Sequence, residues 1–243
     1  VAFGSTRKPF VKAEEDINLK ALMNAGTEAV AVFGKSWDMH VSEVLKTTLD
    51  ENLNMIRDTI SYLKSGNKEV IYDAEHFFDG FKANEEYALA TLKTAKDAGA
   101  DWLVLCDTNG GSLTSEINRI VKIVEEKIGG KVGIHCHNDM GLAVANSLEA
   151  VISGATMVQG TVNGYGERCG NADLISIIPT LKLKLQLEFK CGDKISDITS
   201  VSRYVSEIAN MAHNPKAPYV GNSAFAHKGG MHIDAVLKYP ETF

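Results

Sequence analysis

Short, nearly continuous apolar runs that end in polar or glycine residues recur six times and alternate with stretches of helical spacing. Each run is rich in β-branched side chains, which is typical of a buried strand. The six runs are VAFG from Val1, AVAVFG from Ala29, EVIYDAE from Glu69, WLVLCD from Trp102, KVGIHCH from Lys131 and TMVQGTV from Thr156. Strands joined by helices must run parallel, so the pattern predicts a parallel sheet covered by helices.

Glycines mark where the helices between these runs are expected to end. Gly26, Gly99 and Gly154 each close a stretch of helical spacing shortly before the next strand. Glycine adopts without penalty the left-handed conformation that commonly follows a helix C-terminus. Helical spacing is also clear in residues 44–56 and 117–124, where apolar side chains return every three or four positions. The predicted order is therefore strand, helix, strand, helix.

Polar residues distinguish between the two folds that fit this order. They gather at the carboxyl end of nearly every predicted strand: Ser5, Lys35, Asp73 and Glu75, Asp107 to Asn109, His135 to Asp139, and Asn163 to Glu167. A barrel places such groups in a ring, whereas a doubly wound sheet gathers ligand groups at one switch point. We therefore predict an α/β fold of the (β/α)₈ TIM-barrel type, with an open doubly wound sheet as the alternative.

The number of strands predicts an incomplete barrel. A closed barrel of this type has eight strands, and six runs correspond to about six βα units, which we assign to residues 1–190. From Lys190 onward the pattern changes to amphipathic helices, a proline-containing loop and the run SAFAHKGGMHIDAVLK. Residues 191–243 are predicted to form a helical C-terminal subdomain that contributes to a dimer and to the active site.

Charge and composition argue against several classes of protein. The 25 basic and 31 acidic residues give a net charge of −6, and no basic stripe is present, so a nucleic-acid partner is not expected. No run approaches the roughly 20 apolar residues that span a bilayer, so no membrane partner is expected either. The four cysteines form no C-x-x-C pair, which favours reduced thiols and a cytoplasmic protein.

Two histidines on one predicted strand are the sharpest local signal. His135 and His137 lie two residues apart, so their side chains point the same way and could hold one metal ion, while Cys136 faces away. Two hydrogen-bonded histidines in a polar loop are the structural alternative. The location at the carboxyl end of a strand favours the metal site.

A glycine-rich segment, residues 163–171, follows the last strand and precedes a helix expected to begin near Ala172. Its glycines would let backbone N–H groups approach an anionic substrate, and Asn171 offers an oxygen ligand to a hard ion. The alternative is a tight turn stabilised by a Glu167–Arg168 surface pair. The segment has neither the Walker nor the Rossmann spacing, so it does not indicate a nucleotide site.

Two further strand ends carry groups with possible catalytic use. Asp73 and Glu75 share one strand face, where a carboxylate at the mouth of a barrel could act as a base or orient a substrate. Exposed loop acids are the alternative. Thr108 could hold a carboxylate through its hydroxyl, or it could cap the helix that follows.

Taken together, the strand-end motifs resemble those of the Claisen-type acyltransferases in the metal-dependent lyase and synthase barrel superfamily. These are the citramalate, 2-isopropylmalate and homocitrate synthases, and the resemblance is closest to the citramalate synthases. The motifs that carry it are, in order, DAEHFFDG, CDTNGG, HCHND, GYGERCGN and FAHKGGMH. Each is weak alone, but their joint presence is highly specific, and the resemblance covers essentially the whole chain.

The resemblance implies condensation of acetyl-CoA with a 2-oxo acid, most closely pyruvate, to give citramalate for isoleucine biosynthesis. It implies that His135 and His137 bind a divalent ion, Mn²⁺, Mg²⁺ or Zn²⁺, with Asn171 as a weaker or water-mediated ligand. Glu75 would be an acid/base group near the acetyl donor. The substrate-binding residues would be Asp73, Thr108, Asn163, Gly164, Gly166 and Glu167.

The tail is expected to supply a second catalytic group. The resemblance implies that His232 is a catalytic histidine contributed by the partner subunit of a homodimer, and His227 is the second candidate for this role. The Arg-Asp-Gly motif that the family carries on its first strand is absent. We therefore expect that the first two βα units and the C-terminal regulatory domain lie outside this chain, and that the fragment alone holds metal poorly.

Three other functions fit parts of the sequence. A 2-isopropylmalate or homocitrate synthase would use the same residues with another 2-oxo acid. An acyl-CoA lyase of the same superfamily uses a cysteine in its glycine-rich loop, where this chain has Cys169. A truncated barrel acting only as a binding module is the non-enzymatic alternative.

Overall fold

The computed structural model describes residues 1–242 and confirms the six predicted strands. They are β1 (Ala2–Ser5), β2 (Ala29–Lys35), β3 (Glu69–Glu75), β4 (Trp102–Asp107), β5 (Val132–Cys136) and β6 (Met157–Gln159). All neighbouring pairs are parallel, and the order in the sheet is the order in the chain. In a doubly wound sheet the strand order reverses at a switch point, so the unbroken order seen here is that of a (β/α) barrel. The described sheet is not closed, and β1 and β6 are its edges.

Helices follow the strands as the sequence predicts. Those of the α/β part are α1 (Ile17–Met23), α2 (Leu49–Ser65), α3 (Phe77–Ala83), α4 (Glu85–Asp97), α5 (Thr114–Lys127) and α6 (Ala143–Ile152). Further along lie α7 (Leu174–Leu183), α8 (Ile198–Ile208) and α9 (Gly230–Lys238). None of the helices in residues 1–242 is both long and apolar enough to cross a membrane.

Local signals explain where these helices begin and end. Gly26, Gly99 and Gly154 all have positive φ, as the helix stops require. The helical spacing over residues 44–56 does not form one helix, because Lys46 has a left-handed backbone and Thr48 caps α2 by accepting a hydrogen bond from a backbone N–H. The helical spacing thus continues through the cap and covers more than one element.

The central strands β2 to β5 are largely buried on both faces. The face under the helices includes Val30 and Val70, which are fully buried. The opposite face, which lines the interior of a barrel, begins as an apolar cluster of Ala31, Ile71, Val104 and Cys106, with Trp102 and Met157 packed against it. Two residues after Ile71 and Met157 the same face carries the polar residues Asp73 and Gln159. The polar layer therefore rests on an apolar floor.

The described chain divides into two compact units. The first comprises residues 1–160 and 166–172, and the second residues 161–165 and 173–242. Helix α7, which the sequence assigned to the barrel, thus belongs to the second unit. A helical C-terminal subdomain over 191–243 that joins a dimer stays a prediction.

Candidate active site

The first unit brings together two histidines from the carboxyl end of β5. The rings of His135 and His137 lie with their centroids 5.0 Å apart and their planes at 60°. Both point to the inner face of the sheet, because alternate residues of a strand share a face. Cys136, between them, is fully buried on the other face, as predicted.

Each histidine has one ring nitrogen fixed by a neighbour. His135 Nδ1 lies 2.8 Å from the side-chain oxygen of Gln159, and His137 Nδ1 lies 2.8 Å from the backbone oxygen of Thr108. Both oxygens are acceptors, so each Nδ1 donates, and in a neutral imidazole Nε2 then keeps its lone pair. Burial, and then the neighbouring His135, lower the pKa of His137. Neutral imidazoles with accessible Nε2 atoms are the form that binds metals.

The donor atoms around His135 fit a cation. Its Nε2 lies 3.1 Å from Asn171 Oδ1, and a backbone bridge pairs His137 with Asn171. With hydrogen on Nδ1, both facing atoms are acceptors, an arrangement that a positive ion stabilises. Within residues 1–242 no group of three or more His, Cys, Asp or Glu side chains is arranged to hold a metal. The described donor set is therefore two imidazoles and one amide oxygen.

Glu75 ends β3 and is paired with a cation. Lys35, its register partner at the end of β2, donates a hydrogen bond from Nζ to Glu75 Oε2. Both side chains are partly buried, with 15% of Lys35 and 24% of Glu75 exposed. The alternative, in which Glu75 is an exposed acid in a loop, was wrong. Lys35 appeared among the strand-end residues, but its pairing depends on strand register.

Asp73 is buried two residues before Glu75 on the same face. Only 5% of Asp73 is exposed, and its Oδ1 accepts a 2.9 Å hydrogen bond from Gln159. Burial raises the pKa of Asp73 to about 6, against smaller lowering effects of that hydrogen bond and of His135. Asp73 is thus tied to the histidine pair through Gln159, a residue that the sequence motifs do not single out.

Thr108 links the strand ends of β3 and β4. Its hydroxyl accepts a 2.8 Å hydrogen bond from the backbone N–H of His76, which has a left-handed backbone. The hydroxyl hydrogen therefore stays available for an acceptor such as a carboxylate. The alternative in which Thr108 caps the next helix was wrong, because α5 begins at Thr114 with Leu113 as its cap.

The glycine-rich segment is fastened to the neighbouring strand end. Arg168 donates from Nε and Nη2 to the two carboxylate oxygens of Asp139, at 2.8 and 3.0 Å, and from Nη2 to Thr108 O at 2.7 Å. Glu167 is 3.9 Å from Arg168 and 87% of its side chain is exposed. The turn is thus held by Asp139 rather than by a Glu167–Arg168 pair. Gly166 lies against the amide of Asn171, where a Cβ would meet Nδ2 at 1.9 Å.

Gly110 is required by close packing of the β4 and β5 loops. Its φ is +58°, and a Cβ there would lie 2.8 Å from Asp139 N and from His137 O. We expect Gly110→Ala to lower stability by at least the roughly 1–3 kcal/mol of such backbone strain and to weaken metal binding by displacing His137. Urea unfolding and calorimetric Mn²⁺ titration measure the two effects.

Gly111→Ala is the matched control, because a Cβ at Gly111 meets nothing nearer than 3.9 Å and its φ is not positive. Equal losses in the Gly110 and Gly111 variants would contradict the close-packing explanation.

Asn163 and Gly164 belong to the second unit, where Asn163 supports a helix. Its Nδ2 donates to Ser202 O and Ser206 Oγ, and its Oδ1 accepts from Ser202 Oγ at 2.6 Å. Because Ser202 donates its hydrogen to Asn163, His213 Nε2, 3.1 Å away, is the donor to Ser202 Oγ. The side chain of Asn163 is thus engaged with α8, and its predicted substrate contact stays a prediction.

Asn163→Ala removes three hydrogen bonds and leaves the buried Ser202 hydroxyl with His213 Nε2 as its remaining partner. We expect a loss of about 2–4 kcal/mol in unfolding free energy, measured by urea denaturation. Asn210→Ala is the control, since Asn210 is an exposed residue of the same unit with a similar left-handed backbone. Similar losses at both positions would assign the effect to the backbone alone.

The predicted catalytic histidine of the tail lies in the second unit. His232 is in α9, and its ring stacks on that of His227 with centroids 6.3 Å apart. The structure of this unit does not choose between the two residues. Among the cysteines, Cys106 and Cys136 are buried, Cys169 and Cys191 are exposed, and all four are free thiols.

Polar groups on the carboxyl ends of β2 to β6, above an apolar floor, define the active-site layout of a (β/α) barrel enzyme. The family model described as HMGL-like matches residues 7–205, and the chain belongs to this family.

The curated relatives belong to different synthase branches of the family. The chain is 57% identical to the (R)-citramalate synthase of Synechocystis, over all of this chain and 46% of that protein. It is 37% identical to the 2-isopropylmalate synthase of Sulfolobus acidocaldarius, over 91% of this chain and 56% of that one. The chain thus spans about half the length of the curated relatives it matches.

Solved structures confirm the fold. The crystal structure of HMG-CoA lyase from Bacillus subtilis superimposes with a TM-score of 0.71 at 17% identity, covering 87% of this chain and 71% of the lyase. At that identity the similarity concerns the architecture alone. It agrees with the chain order of the parallel sheet.

Proposed function

We propose that the protein of which this chain is part condenses acetyl-CoA with pyruvate to form citramalate and free coenzyme A, a step of isoleucine biosynthesis. The observation that carries the proposal is the convergence of His135, His137 and Glu75 at one end of the sheet. The identity to a citramalate synthase, 57% against 37% to a 2-isopropylmalate synthase, favours pyruvate over the larger 2-oxo acids.

Glu75 is proposed as the base that removes a proton from the methyl group of the acetyl thioester. The resulting carbanion equivalent forms the carbon–carbon bond to the ketone carbon, the alkoxide takes up a proton, and water then hydrolyses the thioester. Lys35 holds one carboxylate oxygen of Glu75 and leaves the other for the substrate. A positioned base of this kind contributes a factor of about 10²–10⁴ to the rate.

Other residues are proposed to orient the two substrates. The hydroxyl of Thr108 has its hydrogen free to donate to the carboxylate of the 2-oxo acid, since its oxygen already accepts from His76. Gly166 and Glu167 are proposed to border the coenzyme A thioester, and a substrate contact of Asn163 and Gly164 stays a prediction from the resemblance. Asp73, predicted as a substrate-binding residue, is proposed to act indirectly, because it accepts a hydrogen bond from Gln159, which in turn contacts His135.

His135, His137 and Asn171 are proposed to hold a divalent ion, Mn²⁺, Mg²⁺ or Zn²⁺, which would polarise the ketone of the 2-oxo acid as a Lewis acid. Imidazole ligands suit Zn²⁺, and the amide oxygen also admits Mn²⁺ or Mg²⁺. We further propose a homodimer in which His232 of one subunit reaches the active site of the other.

The test is the release of coenzyme A thiol from acetyl-CoA in the presence of each 2-oxo acid and a divalent ion. We expect release with pyruvate and much less with 2-oxoisovalerate or 2-oxoglutarate. Preference for one of the larger acids would reassign the branch. No release with any acid, together with cleavage of a 3-hydroxyacyl thioester, would identify a lyase instead. Because the chain spans about half of its relatives, the protein that contains it is the form to assay.

A further inference from the structure

Gln159 lies beside the first histidine of the pair because of strand register. β5 and β6 pair so that His135 and Gln159 are directly opposite, and their side chains share the inner face of the sheet. Gln159 Oε1 contacts His135 Nδ1 at 2.8 Å, and Gln159 Nε2 contacts Asp73 Oδ1 at 2.9 Å. The three side chains form a continuous chain of hydrogen bonds from β3 to β6.

The orientation of the Gln159 amide follows from its two neighbours. The carboxylate of Asp73 accepts only, so it must face the NH₂ group of Gln159. The amide oxygen is then the only atom left to face His135, and His135 Nδ1 must donate to it. A flipped amide would set its oxygen against the carboxylate of Asp73, which has no hydrogen to donate, so Asp73 fixes the orientation. For the neutral ring, the network therefore allows one tautomer, in which His135 Nε2 carries no hydrogen.

We propose that Gln159 is a positioning residue that transmits the orientation of Asp73 to His135 and fixes the tautomer whose Nε2 is free to bind a cation. This inference rests on the proposed function, which makes His135 a metal ligand, and adds a residue that none of the strand-end motifs contains. His137 is fixed in the same way by the backbone oxygen of Thr108. Because His137 is held by a backbone atom, only the tautomer of His135 can be changed by substituting the residue that holds its Nδ1, Gln159.

Partners of this kind are known to matter energetically in metal sites. Loss of a group that holds the second nitrogen of a histidine ligand weakens metal affinity by about 10–100-fold. Gln159→Met keeps the length of the side chain and removes both hydrogen bonds. We expect it to weaken Mn²⁺ binding, measured by calorimetry with the metal alone, by that factor.

The tautomer itself provides a readout independent of activity and of metal. In ¹⁵N-detected imidazole spectra of the metal-free chain at pH 8, we expect His135 to show Nδ1–H and unprotonated Nε2, with its signals assigned from their loss in His135→Gln. In Gln159→Met, we expect a mixture of tautomers. Met157→Leu, on the same strand and face, is the control that should change neither measurement.

A charge-conserving exchange separates positioning from mere packing. In Asp73→Asn/Gln159→Glu, the new amide can donate to the new carboxylate, whose second oxygen accepts from His135 Nδ1. We expect this double variant to keep both the tautomer and the Mn²⁺ affinity of the unsubstituted protein. If Gln159 acted through packing alone, exchanging the two polar groups would restore neither.

The inference is overturned if Gln159→Met leaves the His135 tautomer unchanged, or if the double variant behaves like Gln159→Met. Absence of Mn²⁺ binding by the unsubstituted protein that contains this chain would count against the proposed metal site instead. In that case the imidazole spectra still decide whether Gln159 fixes His135.

Discussion

Glu75→Gln is expected to abolish most of the turnover while leaving the site assembled. The amide cannot take a proton from the acetyl thioester, yet its oxygen still accepts from Lys35, which now donates to Glu75. We expect kcat for coenzyme A release to fall by about 10²–10⁴. The Michaelis constant for acetyl-CoA and the affinity for Mn²⁺ should stay near their original values, because neither depends on the lost basicity.

Glu69→Gln is the matched control for this experiment. Glu69 begins the same strand, is exposed, and bonds to Trp102 Nε1 at 2.9 Å, far along β3 from the strand end. It should keep full activity. A Glu75→Gln variant that retains kcat within a factor of a few would rule out Glu75 as the base, and a variant that loses Mn²⁺ binding as well would assign it a structural role.

Positions of strands and their polar ends could be predicted because they depend on local pattern. A buried strand is a short apolar run, and glycine at a helix end has positive φ at Gly26, Gly99 and Gly154 alike. Placing His135, His137 and Glu75 at one edge of a parallel sheet needs nothing more than the direction of the strands. That part of the candidate site follows from periodicity.

Partners of these residues could not be predicted, because they depend on register and on packing between distant segments. Gln159 lies 24 residues from His135 and 86 from Asp73 in sequence, and in the run TMVQGTV it is one polar residue in an apolar strand. Arg168 has an acidic neighbour in sequence but pairs with Asp139, 29 residues away. The adjacent charge of Glu167 suggested the wrong main partner for Arg168, because neighbours in sequence do not determine which side chains meet across a loop.

Polar networks at the carboxyl ends of strands come at the expense of stability, and Asp73 shows how much. Its carboxylate is buried between the apolar floor of the sheet and the histidine pair, and burial raises its pKa from 3.8 to about 6. An acid with a raised pKa in the folded state binds its proton more tightly there than in the unfolded chain. The folded state is thus favoured below about pH 4, and this advantage is lost as the pH rises through about 6.

Asp73→Asn should therefore stabilise the metal-free chain at neutral pH. The amide has no charge to bury, and its oxygen still accepts from Gln159 Nε2. A shift of about two pKa units corresponds to a gain of about 3 kcal/mol in unfolding free energy above pH 6, decreasing to near zero at pH 4. Urea unfolding at several pH values between 4.5 and 7.5, with a chelator present so that metal binding makes no contribution, measures this difference.

Asp101→Asn provides the opposite sign within the same sheet. Burial alone would raise the pKa of Asp101, but hydrogen bonds from Lys64 and from the backbone N–H of Val70 outweigh it and lower that pKa. Asp101 thus stabilises the fold above its ordinary pKa, and its substitution should be destabilising at pH 7.5. If Asp73→Asn were also destabilising at pH 7.5, or if its effect did not change with pH, the carboxylate would be compensated in the folded state. In that case the buried carboxylate of Asp73, which helps to orient His135, would not lower the stability of the folded chain.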